Sequence, residues 1–272
     1  MVNSNPVIFI SFSARDESFD ILSIPSNTYI EVPHGYGFYQ ARSVFGLGEI
    51  EEKGGMLFKE AIQEFLGLPV DGWLAMKNDE WKIDNGKEGI LKLRNKLFGV
   101  GWLKKMPELR TNFNLWDLLR FWLKIGLIRP DKINFIDLKE NSCLSDFILA
   151  DGTVVLKDEV SCLDSIAKKY FIEEEIRQEG LSIKIVNTTN FPGLGVKAAR
   201  LVDNIGGRVL RVESAEEERI ETEILVEKRN LEKKTLRRIS KGLNAKIVEG
   251  EPEDFDVVIF LGKDYQKKLE EK

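Results

Sequence analysis

The residues able to carry chemistry in this chain are few. Phe191-Pro192-Gly193-Leu194-Gly195 lies between a β-rich run and a helical one, where free backbone amides often cradle phosphate. A nucleotide site would want a third glycine, a following Lys-Ser/Thr, or an acid closing the next strand, and the pattern has none of these. The plainer reading is a tight turn into a helix, with Asn187, Thr188 and Thr189 satisfying loop amides through their side chains. As a ligand site the turn would contribute Asn187, Thr188, Gly193 and Gly195.

His34, the single histidine, sits in the turn-like Val32-Pro33-His34-Gly35-Tyr36-Gly37 and reads as a loop residue with no nucleophile motif to serve. With one histidine and two cysteines at no ligand spacing, no metal site is expected. Cys143 and Cys162 lie in neighbouring segments, where a disulfide and two free thiols are both open. Lys233-Lys234 and Arg237-Arg238 share one expected helix. Glu227 and Glu232 flank them and no aromatic residues interleave, which describes a solvated salt-bridge face rather than a nucleic-acid strip.

The charge balance agrees. The chain has 45 acids against 40 bases, a net charge of −5, whereas proteins that live on phosphate backbones cluster bases. Before Leu181 28 acids face 22 bases; from there on 17 face 18, so the acidity lies in the first two-thirds. Apolar residues make up 43% and charged residues 31% of 272, enough for a packed core and two ordinary domains. No apolar run approaches the ~20 residues of a membrane span. Met1-Val2-Asn3-Ser4-Asn5-Pro6 does not look like a signal peptide, so membrane attachment is expected only through a segment outside this chain.

Several elements must position these residues. Strands are expected at Val7–Phe12, Phe19–Ile24, Thr28–Val32, Lys132–Leu138 and Thr153–Leu156. Leu57, Ala61, Ile62, Phe65 and Leu66 share a helical face that opens at Gly54-Gly55 and stops at Gly67. Further helices are expected at 90–98, from the cap Asn114 to Gly126, and at Val160–Tyr170. Trp116 and Trp122 raise a membrane-surface reading for the Asn114 helix; without bases along its polar face, a core helix is the better reading. The charged stretch 173–180 is read as a linker. It divides a domain over 1–172 from one over 181–272 with the pattern β-α-β-β-α-β, an α/β sandwich with its helices on one face.

Two stretches together resemble a known family. Asp20 to Ile30, the Gly-rich turn, and Gly46 to Asp71 resemble the LytR-CpsA-Psr (LCP) domain, and Thr111-Asn112-Phe113-Asn114-Leu115 is similar to its later part. Val186 to Thr189, Gly193 to Leu201, Gly206-Gly207 and Val257 to Tyr265 resemble the LytR C-terminal domain that often follows it. The resemblance implies an LCP-like α/β domain followed by a small α/β domain. It also implies glycopolymer transfer from a polyprenyl-pyrophosphate carrier to peptidoglycan, outside the membrane, with Mg²⁺ on the pyrophosphate. Such a site needs carboxylates for the metal and Arg or Lys for the developing charge.

Here the family's Ser-Ile-Pro-Arg-Asp reads Ser23-Ile24-Pro25-Ser26-Asn27, and its motif Lys falls near Gln40 in Tyr39-Gln40-Ala41-Arg42. The expected early Asp falls near Asn5, and the carrier-contacting segment between Asp84 and Arg110 is shortened. The degenerate site is therefore Ser26, Asn27, Gln40 and Arg42. Arg42 is the candidate to hold a ligand, and Lys59 or Arg94 are further cations that could reach inward.

The expectation is a non-catalytic cell-envelope protein that binds a wall glycopolymer, a lipid-linked precursor or an envelope partner such as peptidoglycan. It would need no cofactor, would not bind nucleic acid, and would be anchored in the envelope by its native full-length form. The enzyme alternative is a surviving phosphotransferase using Arg42 and Mg²⁺; the third is a cytosolic interaction module or regulator.

Overall fold

The computed structural model describes residues 2–3, 6–13, 17–76 and 109–270. The helix expected at 90–98, together with Arg94 and Asn5, lies outside them. The fold is α/β, with parallel and antiparallel pairings mixed in both large sheets. The chain forms two compact units: Met1–Val32, Phe38–Ile62 and Val70–Val160 in the first, and Pro33–Gly37, Gln63–Pro69 and Ser161–Lys272 in the second.

Unit 1 is built on strands β1 (Val2–Asn3), β2 (Val7–Ser13), β3 (Ser18–Ile24), β6 (Leu74–Met76), β7 (Leu109–Thr111) and β8 (Ile133–Asp137). They order as β7-β6-β1-β2-β3-β8. Phe19 to Ile24 is an unbroken buried run, the signature of a strand covered on both faces. It pairs antiparallel with β2, from Val7 opposite Ile24 to Ser13 opposite Ser18, and parallel with β8. The hairpins β4 (Tyr29–Val32) with β5 (Gly37–Gln40) and β9 (Leu144–Ile148) with β10 (Val154–Asp158) add two small sheets.

Helix α1 (Ala41–Ile50) follows β5, and α2 (Gly55–Leu66) opens close behind it. Gly55 is dictated by packing, since a Cβ there would lie 2.3 Å from the Trp73 ring. Helix α3 (Leu115–Leu127) begins as expected: Asn114 accepts a 2.8 Å bond from the Asp117 amide. Its Leu118, Phe121 and Ile125 pack on the cluster of Ile8, Phe19, Ile21, Leu74 and Ile133. The core-helix reading holds for that face only, because Leu115, Trp116, Leu119, Leu123 and Leu127 are exposed.

Unit 2 carries the sheet β12-β11-β15-β13-β14, with β11 at Ser182–Asn187, β12 at Arg208–Ser214, β13 at Glu223–Val226, β14 at Lys246–Glu249 and β15 at Val257–Leu261. Helix α4 (Val160–Tyr170) precedes it as expected. The expected β-α-β-β-α-β order appears as β11-α6-β12-β13-α7-β14, with α6 at Leu194–Asn204 and α7 at Lys234–Leu243. The strand expected to close the pattern is β15, which instead lies between β11 and β13; β14 and a last helix, α8 (Lys263–Glu270), were not foreseen.

Residues 173–180, read as a linker, contain helix α5 (Glu174–Glu179), ended by Gly180 in the left-handed conformation. The carboxylate of Glu179 accepts bonds from the Lys234 and Thr235 amides and from the Thr235 hydroxyl, so it caps the first turn of α7. Burial alone would raise its pKa. Those three bonds outweigh burial and hold the carboxyl below its ordinary value. Arg200 reaches Asp164 at 2.6 Å and the carbonyls of Glu64 and Phe65 at 2.8 and 3.1 Å, which ties 63–69 into this unit.

Candidate functional site

The residues singled out by sequence form two separate groups. In unit 1, β3 ends at Pro25 and a tight turn follows, closed by the Thr28 amide on the Pro25 carbonyl at 3.0 Å. The carbonyl of Asn27 accepts from the Leu156 amide at 3.1 Å. The carbonyls of Ser26 and Thr28 accept from the amides of Arg42 and Ala41 at 3.2 and 2.8 Å. The turn is therefore fastened onto the first turn of α1, and Ser26, Asn27, Gln40 and Arg42 come together as one patch.

Two of α1's leading amides are used in this fastening, so an anion would not find an open ring of N–H groups there. It would find Arg42. That side chain is exposed, its guanidinium has no ion pair among the described residues, and the first turn of α1 has no acid. The helix dipole adds a modest positive potential at the same end. Lys59 is half-buried on α2 and already has an interaction of its own.

Around Arg42 the polar side chains are poorly used. Gln40 is the N-cap of α1 but makes no capping bond, and its Oε1 is buried without a partner. The Oγ1 of Thr28, a residue with no exposed surface, is in the same state. Buried polar atoms almost always find partners, and each that does not costs about 1–3 kcal/mol. Thr28 was missed as a site residue; only its place beside Asn27 in the resembling stretch marks it. On the hairpin joining the two halves, Tyr29 and the half-exposed Phe38 stack with ring centroids 5.4 Å apart. Among the described residues the patch thus offers a cation without an ion pair, Arg42, together with neutral polar atoms and an aromatic pair. None of Ser26, Asn27, Gln40 and Arg42 has a carboxylate with which to hold a divalent metal.

In unit 2 the Asn187–Gly195 turn uses its polar atoms internally. Asn187 is buried; its amide group donates to the Phe191 carbonyl at 2.9 Å, and its Oδ1 accepts from the Thr189 amide and hydroxyl at 3.0 and 2.8 Å. The Thr188 hydroxyl donates to the Leu261 carbonyl at 2.6 Å and accepts from the Arg219 amide at 3.2 Å. Gly193 takes φ +81° as the N-cap of α6, a conformation that favours glycine. Gly195 is needed for close packing, since a Cβ would lie 2.7 Å from Val212 Cγ1.

Elsewhere, Lys234 pairs with Glu173 and Glu175, Arg238 with Glu173, and Arg237 with Glu232, so the basic helix face is laced with ion pairs. Cys143 and Cys162 are both disulfide-bonded. Among the described residues no group of three or more His, Cys, Asp and Glu could hold a metal ion, and no helix is long and apolar enough to cross a membrane.

No protein-family model matches the sequence, and no curated protein does. Solved structures with a similar course of chain include TagT bound to LIIa-WTA, at 15% identity and a TM-score of 0.46 over 61% of this chain and 83% of that one. The crystal structure of TagT from B. subtilis is similar at 16% identity and a TM-score of 0.41, over 61% of this chain and 83% of that one. A third is YwtF (TagT), described as a LytR-CPS2A-psr family protein with bound octaprenyl pyrophosphate lipid. It has 16% identity and a TM-score of 0.40 over 60% of this chain and 81% of that one.

Proposed function

We propose that this chain is a cell-envelope binding protein that holds the phosphate end of a lipid-linked wall glycopolymer or its precursor and does not transfer it. The observation that carries the proposal is the patch at the start of α1. There an exposed Arg42, with no ion pair among the described residues, lies beside Ser26, Asn27, Gln40 and Thr28, all neutral, two of them with buried atoms left without partners. Arg42 supplies the charge that binds phosphate, and the Ser26 hydroxyl and the side-chain N–H groups of Asn27 and Gln40 are the neutral donors that orient it by hydrogen bonds. The Tyr29–Phe38 pair offers an apolar face for the sugar or prenyl portion next to the phosphate.

Phosphoryl transfer asks for more than this. A pyrophosphate leaving group needs metal and several cations where charge develops, and removing even one charged donor costs on the order of 10²–10³ in rate. With Mg²⁺ bound, such a site would have its leaving-group charge neutralised by the metal; the side chains at 26, 27 and 40 supply no anionic ligand for it. The disulfide-bonded cysteines support an oxidising compartment outside the cytosol and speak against the cytosolic module. The LytR-type identity of unit 2 remains part of the same proposal, carried by the resembling stretches within 186–265.

The test is calorimetric titration of the full chain with farnesyl pyrophosphate, with and without Mg²⁺. Binding that needs no Mg²⁺ and weakens about tenfold or more in Arg42→Ala is expected. Binding that is unchanged in Arg42→Ala, or that appears only with Mg²⁺, would overturn the reading.

A further inference from the structure

Helix α3 presents an exposed apolar face that does not pack on the described core of unit 1. Leu118, Phe121 and Ile125 point to the core cluster. At 100° per residue, Leu115, Leu119, Leu123 and Leu127 run as one line down another side of the helix, with Trp116 beside them. Their exposures are 72%, 42%, 45% and 81%, and that of Trp116 is 60%. Five large apolar side chains on one exposed helix face form a continuous patch, which marks an interaction surface.

The charges around the stripe identify the partner. Contrary to the sequence reading that no bases line this helix, Arg120 and Lys124 lie along one edge of the stripe, four residues apart, and Arg129 and Lys132 continue just past its C-terminal end. The only acids in 115–132 are Asp117 and Asp131. Arg120 sits 5.3 Å from the centre of the Trp116 ring, and the Lys124 amine lies 3.8 Å over the Phe12 ring, so both stems run along apolar surface with the charge at the end. Leucines and a tryptophan bordered by bases suit the boundary between acyl chains and anionic headgroups. A second copy of the same face is a poorer partner. In an isologous contact the basic edges would oppose one another without acids to match them.

We infer that α3 docks unit 1 onto an anionic lipid surface through Leu115, Trp116, Leu119, Leu123 and Leu127, with Arg120 and Lys124 reaching the headgroups. This surface is separate from the α1 patch and does not depend on what that patch binds.

Flotation with vesicles of phosphatidylcholine, alone or mixed equally with phosphatidylglycerol, tests the inference. The full chain should float with the mixed vesicles and not with the neutral ones, and less so as salt rises. Leu119→Asp with Leu123→Asp should weaken this at least about tenfold, and Arg120→Glu severalfold, with circular dichroism unchanged because these side chains are exposed. Arg42→Ala should float like the unmodified protein, which keeps this result apart from the pyrophosphate titration. Absence of binding to mixed vesicles, equal binding by the leucine variant, or a solution dimer that the leucine variant dissolves would each overturn it.

Discussion

The two turns that looked able to bind a ligand are built in opposite ways. At 187–195 every side-chain oxygen of Asn187 and Thr188 has a hydrogen-bond partner within unit 2. At 26–42 backbone hydrogen bonds fasten the turn while side-chain atoms of Thr28 and Gln40 are buried without partners and Arg42 has no ion pair among the described residues. One turn uses its polar groups for folding, and the other retains them at a cost in stability. Unsatisfied polar groups held by a rigid backbone are where a binding function is to be sought.

Substitutions can break or sharpen this contrast. Asn187→Ala removes three hydrogen bonds, two of them buried and one partly buried, and should cost about 2–4 kcal/mol of stability while leaving pyrophosphate binding unchanged. Urea unfolding should be followed by ellipticity, since all five tryptophans precede residue 161 and report on unit 1. A loss of binding in a well-folded Asn187→Ala protein would transfer the ligand to unit 2.

Thr28→Val should act in the other direction. Replacing an orphaned, fully buried hydroxyl by a methyl of similar shape should raise stability by about 1 kcal/mol and leave pyrophosphate binding unchanged. A destabilised Thr28→Val protein would show that the hydroxyl is structural.

Glu179 contributes an effect of similar size, with a pH signature. Glu179→Gln should cost about 1 kcal/mol at neutral pH by weakening the cap of α7. The folded carboxyl lies below its ordinary value of 4.5, so its contribution is present above that value and fades as pH falls through the folded one. The difference between the two proteins should therefore shrink in acid unfolding curves; a difference independent of pH would remove the capping role.

These contrasts were unevenly legible. The turn at 187–195 could be read directly, because Asn and Thr before a Gly-rich helix start have few other uses. The cap at Asn114 and the helix Val160–Tyr170 were equally plain. Helix α1 was not foreseen: Gly46 and Gly48 dilute its apolar periodicity, and Gln40 gives no recognisable cap. The unit 1 site was therefore visible only through resemblance, which brought in Ser26, Asn27, Gln40 and Arg42 but not Thr28. The stretch 173–180 looked like a linker from its charge, whereas those acids serve α7. Proteolysis within it remains the test of whether residues 181–272 fold alone. A stable fragment would support the proposed division, and without Glu179 it should be weaker than one that keeps it.

The central claim is binding without transfer, and turnover tests it most directly. The unmodified protein, given a polyprenyl-pyrophosphate-linked glycopolymer, a peptidoglycan acceptor and Mg²⁺, should release no phosphate above background. Arg42→Ala should lower binding of the substrate and change no rate. Phosphate release by the unmodified protein that disappears in Arg42→Ala would contradict the account and make the chain a phosphotransferase.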